Sequence, residues 1–228
     1  MKSGKKLLGE YKGLLAFVAL MVVFRSAIAD YNVVPSGSMM PTVLIGDRIL
    51  VNKMAYDLRV PLTHISLLRI SQPQRGDIVT VDSKEAKELL LKRVIGLPGD
   101  VVELRDNVLY INGKPASYTN AKVAPLEGDV AAQADYLSER IGHESHLVRL
   151  SEAAPSLRSS YGPVVVPPDQ YLMLGDNRDN SADSRYYGFF HRDELMGRTR
   201  RIAFSLDSER GYMPRFDRIG HLLDTSVQ

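Results

Sequence analysis

The hydrophobic positions of this 228-residue chain fall into two patterns. Residues 14–24 form one uninterrupted apolar run behind a group of lysines, whereas the rest of the chain has short apolar stretches separated by Gly, Pro, Asn and Asp. Short stretches bounded by turn residues are typical of strands, and no long 3.6-residue period follows. The pattern therefore predicts a mainly β domain. The predicted strands are residues 48–52, 78–81, 89–95, 101–105, 108–111, 164–166, 171–174 and 198–204.

Two pairs of turn-forming residues predict a hairpin in the middle of the chain. Asp-Asn at 106–107 and Asn-Gly at 112–113 bracket the apolar stretch 108–111, and Asn-Gly is favoured in a type I′ turn. Residues 116–160 are instead rich in Ala, Ser, Glu and His and have weak periodicity. We therefore expect a less regular insertion at about 116–160, outside the main core.

The long apolar run near the N-terminus has three interpretations. The preceding lysines, the run itself and Ala-Ile-Ala at 27–29 match a cleavable signal peptide. Residues 11–29 also approach, at about 1.5 Å per residue, the roughly 30 Å that a retained membrane anchor must span. A buried soluble helix is the third interpretation. In both membrane interpretations the lysines stay in the cytoplasm and residues 30–228 lie on the other side.

Charge and cysteine content narrow the functional classes. The formal net charge is +2, and residues 1–12 alone carry four lysines and one glutamate, so the remainder is slightly acidic. A nucleic-acid-binding protein would carry its basic excess on the folded part, so we do not expect that function. The chain contains no cysteine, which excludes disulfides, thiolate metal sites and a cysteine nucleophile.

The first stretch with candidate catalytic residues is Pro-Ser-Gly-Ser-Met-Met-Pro at 35–41. A glycine frees the backbone between Ser36 and Ser38, and prolines restrict it on both sides. The stretch is either a simple connector to the first strand or a rigid turn that presents a serine nucleophile. A serine nucleophile needs a neighbouring base.

A second stretch supplies a candidate base. In residues 89–95 the period of two places Lys92 on one face with Leu90 and Val94, among apolar neighbours. Burial disfavours the ammonium, and a lysine whose pKa falls from about 10.4 to about 7 or 8 is a general base near neutral pH. A lysine that protects an edge strand is the alternative. The five histidines lie in no motif that would organise a Ser-His-Asp triad.

The third stretch is Gly-Asp-Asn-Arg-Asp-Asn-Ser-Ala-Asp-Ser-Arg at 175–185. It is not an EF-hand calcium loop, because its two possible starting points put Arg178 or Phe190 where a ligand is required. Its side chains are suited to bonding with backbone groups, and Asp183 and Arg185 are able to pair. We expect no metal and no other cofactor.

Together, in this order and behind an apolar run, these stretches resemble the bacterial type I signal peptidases, or leader peptidases. The resemblance covers most of residues 24–190, and five ordered stretches make it specific. They are Pro-Ser-Gly-Ser-Met-Met-Pro-Thr at 35–42, Gly-Asp at 46–47, Arg-Gly-Asp-Ile-Val at 75–79, Lys-Arg-Val-Ile-Gly-Leu-Pro-Gly-Asp at 92–100, and residues 175–185. The resemblance implies the signal-peptidase-type β catalytic domain that repressor-type Ser-Lys autoproteases share, here behind one N-terminal transmembrane helix.

The resemblance also implies the catalytic roles. Ser38 corresponds to the nucleophile and Lys92 to the general base of a Ser-Lys dyad. The Ser38 amide and the Ser36 hydroxyl correspond to the oxyanion hole, which needs donors where the tetrahedral oxygen will lie. Ser181 corresponds to the serine that orients the lysine.

Supporting and substrate-binding residues follow from the same resemblance. Asp183 and Arg185 correspond to the pair that supports the stretch 175–185. The family's substrates are secretory preproteins that are cut after a small-x-small sequence. An extended peptide along a strand edge points alternate side chains into the enzyme, where shallow apolar pockets admit only small groups. The residues expected to line those pockets are Val34, Pro35, Met39, Leu90 and Leu91.

The resemblance favours the retained anchor over the cleaved signal peptide. Such enzymes keep their N-terminal segment, and Ser38 follows Ala29 by nine residues, which holds the active site at the membrane surface. We therefore expect a single-pass protein of the bacterial inner membrane, with a cytoplasmic basic tail at 1–12, an anchor at 13–29 and a catalytic domain at 30–228 on the periplasmic or outer side. Its expected partners are secretory preproteins and membrane lipid, with no nucleic acid.

The expected activity is that of a membrane-bound serine endopeptidase that removes N-terminal signal peptides through an acyl-enzyme at Ser38. Two alternatives stay open from the sequence. A repressor-type Ser-Lys autoprotease uses the same chemistry, but carries a DNA-binding helix-turn-helix where this chain has its apolar run. A non-enzymatic secreted β domain would lose residues 1–29 in the cell and have an inert Ser38.

Overall fold

The computed structural model describes residues 11–63, 65–121, 134–151 and 156–223. Helices in this part of the chain are α1 (Lys12–Ala27), the single turn α2 (Ser184–Tyr187) and three short 3-10 helices. The 3-10 helices are Lys53–Ala55, Arg192–Glu194 and Phe216–Arg218. None of the helices in the described ranges combines the length and the hydropathy that crossing a membrane requires. The predicted basic tail at 1–12 lies outside the described residues, apart from its last two.

Strands make up most of the remaining regular structure. In chain order they are β1 (Ala29–Val33), β2 (Asp47–Asn52), β3 (Asp57–Arg59), β4 (Ser66–Arg69), β5 (Ile78–Ser83), β6 (Glu88–Gly96), β7 (Val101–Arg105), β8 (Val108–Ile111), β9 (Lys114–Pro115), β10 (Ser117–Asn120), β11 (Ala134–Ile141), β12 (Glu144–Ser151), β13 (Tyr161–Val165), β14 (Gln170–Leu174), β15 (Phe190–His191), β16 (Leu195–Asp207) and β17 (Met213–Pro214). Each of the eight predicted strands overlaps one of these, and the mainly β fold is confirmed.

The largest sheet has the strand order β1-β2-β16-β5-β6-β14-β15, and β17 pairs with β16. Of its two central strands, β5 is buried except at Asp82, and β6 is buried from Lys92 to Gly96. Side chains at alternate positions of these strands enter two different cores. Val79 and Val94 pack with Met173 on one face, and Ile78 packs with Met39 on the other. These two strands are therefore the rigid support on which the rest of the domain is assembled.

The predicted hairpin is confirmed. Strands β7, β8 and β9 pair antiparallel in sequence order, in a four-stranded sheet that β13 completes. Both predicted turns have positive φ at both central residues: 47° and 64° at 106–107, and 52° and 76° at 112–113. A type I′ turn requires this conformation, which Asn, Asp and Gly adopt most easily.

Residues 116–160 differ from the less regular insertion that their weak periodicity predicts. Their described part forms β10, β11 and β12, which pair antiparallel as a three-stranded sheet, while 122–133 and 152–155 lie outside the described residues. The hydrophobic pattern did not predict this sheet because its buried face carries polar residues. Glu139 and His146 are buried at positions where a strand pattern calls for apolar side chains.

Glu139 is the centre of the polar cluster that this sheet buries. Its carboxylate accepts two hydrogen bonds from the Arg178 guanidinium, at 2.8 and 2.5 Å, and one of 2.5 Å from the Tyr118 hydroxyl. His146 Nε2 lies 3.2 Å from Glu139 Oε1. Burial by itself raises the pKa of Glu139, but Arg178 and His146 outweigh it, so the net pKa is lowered and the carboxylate stays charged.

We predict that Glu139→Ala strongly destabilises the domain, because it leaves the buried Arg178 without its counter-charge. Loss of one partner of a buried pair costs about 3–5 kcal/mol. Urea unfolding of the detergent-solubilised protein, followed by circular dichroism, measures the change. The control is Glu103→Ala, which removes the partner of the exposed Arg105 and should change the midpoint little. Equal midpoints for the two variants would contradict the prediction.

Candidate active site

Ser38 and Lys92 meet at the end of a turn that packs against the central sheet. Lys92 Nζ lies 2.9 Å from Ser38 Oγ. The lysine comes from the middle of β6, opposite Val79 of β5, with Leu90 and Val94 on the same face of its strand. The period of two in the sequence therefore predicted the environment of Lys92, and the fold brings it to a serine that is 54 residues away along the chain.

Lys92 is buried, with 3% of its surface exposed. Burial lowers the pKa of the Lys92 ammonium to about 8, and the negative charges of Asp183, Glu88 and Asp176 only partly offset this. A substantial fraction of the amine is therefore neutral just above neutral pH and able to accept a proton from the Ser38 hydroxyl. This pair has the geometry that nucleophilic catalysis requires, and its base becomes available as the pH approaches 8.

Met39 anchors the turn that carries Ser38 in the hydrophobic core. The Met39 side chain is fully buried in the core with Val43 and Ile49, and its carbonyl accepts a hydrogen bond of 2.9 Å from the Val43 N–H. Ser36 stands on the exposed side of the same turn, with its Oγ 3.5 Å from Ser38 Oγ. The turn therefore fixes Ser38 from the core side and keeps both hydroxyls at the surface of the cleft.

The loop at 175–185 closes over this turn through Asp176. Its carboxylate accepts hydrogen bonds of 2.8 and 2.7 Å from the Arg93 guanidinium and one of 2.5 Å from the Thr42 hydroxyl. Lys92 and Arg93 are neighbours on β6, so their side chains leave opposite faces of the strand. One strand thus supplies both the amine for Ser38 and the guanidinium that holds the loop.

Two residues of this loop touch the backbone of the serine turn directly. The Asn177 N–H donates to the Ser38 carbonyl at 3.1 Å, and the Asn177 side-chain amide donates to the Gly37 carbonyl at 3.0 Å. Gly175 passes so close to the Ser38 carbonyl and to the Ser181 side chain that an added Cβ would overlap both. Only glycine fits at this crossing.

The predicted pairing of Asp183 with Arg185 is confirmed. Their side chains make a bidentate pair, with Nε to Oδ1 at 2.9 Å and Nη2 to Oδ2 at 2.8 Å, and both are buried. Asp183 also accepts from the Gly175 N–H at 3.1 Å and caps the first turn of α2. Arg185 donates to the Arg178 carbonyl at 2.6 Å. The pair therefore ties both ends of the loop together.

Ser181 lies in this loop but does not make the contact that the resemblance implies. Its Oγ is buried against Gly175 and has no hydrogen-bond partner among the described residues. Ser181 is therefore brought next to the backbone that crosses Ser38, while a hydrogen bond from its hydroxyl to Lys92 is not seen.

All five predicted substrate-binding residues line one cleft beside Ser38. The cleft contains a small cavity of about 40 Å³. Its lining is mostly apolar. It consists of Asn32, Val33, Val34, Pro35, Ser36, Ser38, Met39, Ile49, Thr80, Leu89, Leu90 and Leu91. A small apolar space beside the nucleophile is suited to a small apolar side chain.

The sequence did not identify the residues that brace the site. Thr42, Arg93 and Asn177 lie in the stretches that carry the resemblance, but the sequence assigned no role to them. Glu139, which contacts the loop through Arg178, lies outside those stretches. For Glu139 a signal was present, because Leu137, Glu139 and Ile141 alternate as one strand face would. A glutamate on such a face requires a buried cation.

Comparisons with known proteins identify the family of this chain. The family model described as signal peptidase, peptidase S26, matches residues 9–204. The signal peptidase I of Pseudomonas fluorescens is 33% identical, over 94% of this chain and 79% of the relative. The probable signal peptidase I-2 of a Synechocystis species is 36% identical, over 82% and 68% of the two chains. The signal peptidase I P of Bacillus subtilis subsp. natto is 32% identical, over 86% and 88%.

The family match also separates the alternatives that the sequence left open. It spans the serine turn, β5, β6 and the loop at 175–185, so it includes each stretch on which the sequence resemblance depends. A repressor-type autoprotease and a non-enzymatic secreted domain are therefore set aside. The chain belongs to the signal peptidase family, peptidase S26.

Proposed function

We propose that this protein is a membrane-bound serine endopeptidase that cleaves N-terminal signal peptides from exported preproteins by a dyad of Ser38 and Lys92. The observation that carries the proposal is the 2.9 Å separation between Ser38 Oγ and the Nζ of a buried lysine. Because the pKa of Lys92 is lowered to about 8, the lysine serves as the base that a serine nucleophile needs. Family membership supports the same chemistry.

The reaction begins when neutral Lys92 takes the proton of the Ser38 hydroxyl. The Ser38 oxygen attacks the carbonyl carbon of the scissile peptide bond, and the carbonyl oxygen becomes a tetrahedral oxyanion. The Ser38 N–H and the Ser36 hydroxyl are the proposed donors to that oxyanion. When the intermediate collapses, Lys92 gives its proton to the leaving amine and the signal peptide stays on Ser38 as an ester.

Water completes the cycle by the same route in reverse order. Lys92, neutral again, takes a proton from a water molecule that attacks the ester carbon. The second tetrahedral intermediate collapses, Lys92 returns the proton to Ser38, and the signal peptide leaves with a free carboxylate. The proposed reaction thus uses the side chains of Ser36, Ser38 and Lys92, the Ser38 N–H and water.

The small cleft accounts for the proposed substrate class. An extended peptide laid between the segment at 32–35 and the start of β6 would place alternate side chains against Val34, Met39 and Leu91. The small apolar cavity there favours small side chains. A small-x-small sequence before the cut satisfies that preference at two positions on one side of the strand.

The N-terminal helix supports a location at the bacterial inner membrane. The apolar side chains of α1 that the structure describes are exposed all round: Leu14, Leu15, Phe17, Val18, Leu20, Met21 and Val22. Such a surface is unfavourable in water and suited to lipid. We propose residues 13–29 as the single-pass anchor, with the basic tail at 1–12 in the cytoplasm and residues 30–228 on the periplasmic or outer side.

The direct test of activity is to incubate the detergent-solubilised protein with a purified preprotein and to map the cut by mass spectrometry. We expect cleavage after a small-x-small sequence. Ser38→Ala and Lys92→Met should each abolish it, because one removes the nucleophile and the other removes the base. Thermal unfolding serves as the control, and Lys92→Met should be at least as stable as the wild type at neutral pH, since it removes a buried amine. Substantial activity in either variant would contradict the dyad.

We further predict that kcat/KM rises with pH and reaches half of its upper plateau near pH 8. Below that pH the Lys92 amine is protonated and cannot accept the Ser38 proton, and above it the neutral form predominates. Glu88→Gln removes a negative charge that raises the pKa of Lys92, so its profile should shift to lower pH. A flat profile between pH 6 and 9, measured with a short peptide substrate, would exclude Lys92 as the titrating base.

The membrane orientation is testable because the chain has no cysteine of its own. Ser3→Cys and Lys114→Cys each introduce a single thiol, the second at an exposed position on β9. In intact spheroplasts a membrane-impermeant maleimide should label Lys114→Cys and not Ser3→Cys, and lysis should make both reactive. Labelling of Ser3→Cys before lysis would overturn the proposed orientation.

A further inference from the structure

The peptide unit between Gly37 and Ser38 carries both the carbonyl of one residue and the N–H of the next. A trans peptide is planar, so its C=O and N–H point in opposite directions. The Gly37 carbonyl accepts hydrogen bonds from the Asn177 side-chain amide at 3.0 Å and from the Met40 N–H at 3.1 Å, and this bond is not among the cis peptides of the chain. Whatever fixes the Gly37 carbonyl therefore fixes the direction of the Ser38 N–H.

Asn177 also holds the next peptide unit along the turn. Its own N–H donates to the Ser38 carbonyl at 3.1 Å. The Ser38 N–H, in contrast, has no acceptor among the residues that the structure describes. One residue thus engages the carbonyls on both sides of Ser38 and leaves the intervening N–H available, which is the group that the proposed mechanism assigns to the oxyanion.

The orientation of the Asn177 amide is set by a third contact. Arg149 Nη1 lies 3.3 Å from Asn177 Oδ1, so the amide oxygen faces a cation and the amide nitrogen faces the Gly37 carbonyl. Reversing the amide would bring its nitrogen to Arg149 and its oxygen to Gly37, and both contacts would be lost. The Asn177 side chain is buried, with 1% of its surface exposed.

Arg149 belongs to the inserted sheet, at the end of β12 that lies against the loop. Its N–H donates to the Asp176 carbonyl at 2.8 Å, and its carbonyl accepts from the Arg178 N–H at 3.0 Å. Backbone hydrogen bonds from β12 therefore fix the residues on both sides of Asn177. Charge pairing between Arg178 and Glu139 of β11 strengthens the same contact.

We propose that Asn177 is a positioning residue that sets the direction of the Ser38 N–H in the oxyanion hole, and that the inserted sheet fixes Asn177 through Arg149. The inference rests on the proposed function and adds to it a residue that does not touch the substrate. Asn177 acts in the transition state only, because the N–H that it directs gains its partner when the carbonyl oxygen becomes an oxyanion.

The variant that tests the proposal is Asn177→Asp. The new carboxylate keeps Arg149 as its partner and leaves the backbone N–H in place, so the loop retains its support. It offers no donor to the Gly37 carbonyl and repels that oxygen. Loss of a well-oriented oxyanion donor lowers kcat by about 10²-fold or more, whereas KM should change little. The midpoint of the pH profile is compared in Asn177→Ala, which adds no charge near Lys92, and should stay near pH 8.

Asn180→Asp is the matched control, since it makes the same chemical change at an exposed position three residues along the same loop. Its kcat should equal that of the wild type. If Asn177→Asp does not fold, Asn177→Ala removes the donor without adding a charge and should show the same loss of kcat. Circular dichroism and thermal unfolding establish that each variant is folded.

A pair of inhibitors separates positioning from a general structural defect. Consider a peptide aldehyde with the substrate's sequence. Ser38 Oγ adds to its carbonyl carbon as Lys92 takes the Oγ proton, and the C=O double bond becomes a single bond to an oxyanion. The corresponding peptide alcohol has no such oxygen. Asn177→Asp should weaken the aldehyde by about 10²-fold and the alcohol by less than about threefold. Equal weakening of both would overturn the proposal.

The remaining outcomes are also decisive. Wild-type kcat in a folded Asn177→Asp, or a pH midpoint that moves in the uncharged variant Asn177→Ala, would overturn the positioning role. A wild-type enzyme that does not cleave the peptide, or a Ser38→Ala variant that does, would instead refute the proposed function. The two failures are therefore distinguishable in one set of measurements.

Discussion

The site depends on the burial of one amine. Lys92 is able to act as a base because the protein surrounds it with apolar side chains and keeps water away, which lowers its pKa to about 8. Keeping such a lysine inside costs the fold about 3 kcal/mol at the pKa difference involved. The central strands offset this cost with a core on each face. The loop at 175–185 packs on the turn that brings Ser38 to the buried amine.

The closing loop brings charge into the interior, and four of its five charged side chains form ion pairs. Asp176 pairs with Arg93, Asp183 with Arg185, and Arg178 with Glu139. The fifth, Asp179, accepts hydrogen bonds from the N–H groups of Ser151 and Ser156. Buried pairs contribute little net stability, since desolvation opposes their attraction. They do define a single arrangement, because any displacement leaves a buried charge alone. In a site where Ser38 and Lys92 must stay 2.9 Å apart, a unique geometry is worth more than additional stability.

The inserted sheet takes part in this arrangement. It contributes Glu139 and Arg149, which contact the loop on either side of Asn177. The catalytic turn is therefore supported in three layers, from the sheet to the loop and from the loop to the backbone of Ser38. Support of this kind allows an exposed cleft to remain rigid, since its reacting groups rest on elements that are themselves buried.

The sequence by itself determined what depends on neighbours along the chain. The period of two gave the strands and placed Lys92 between Leu90 and Val94, and the Asp-Asn and Asn-Gly pairs gave both turns of the hairpin. The order of the motifs indicated Ser38 and Lys92 as a pair. Only the tertiary structure decided the contacts of Asn177, Glu139 and Ser181, because these depend on approach between distant segments. Asn177 and Gly37 are 140 residues apart, and a hydrogen bond across such a distance leaves no period in the sequence.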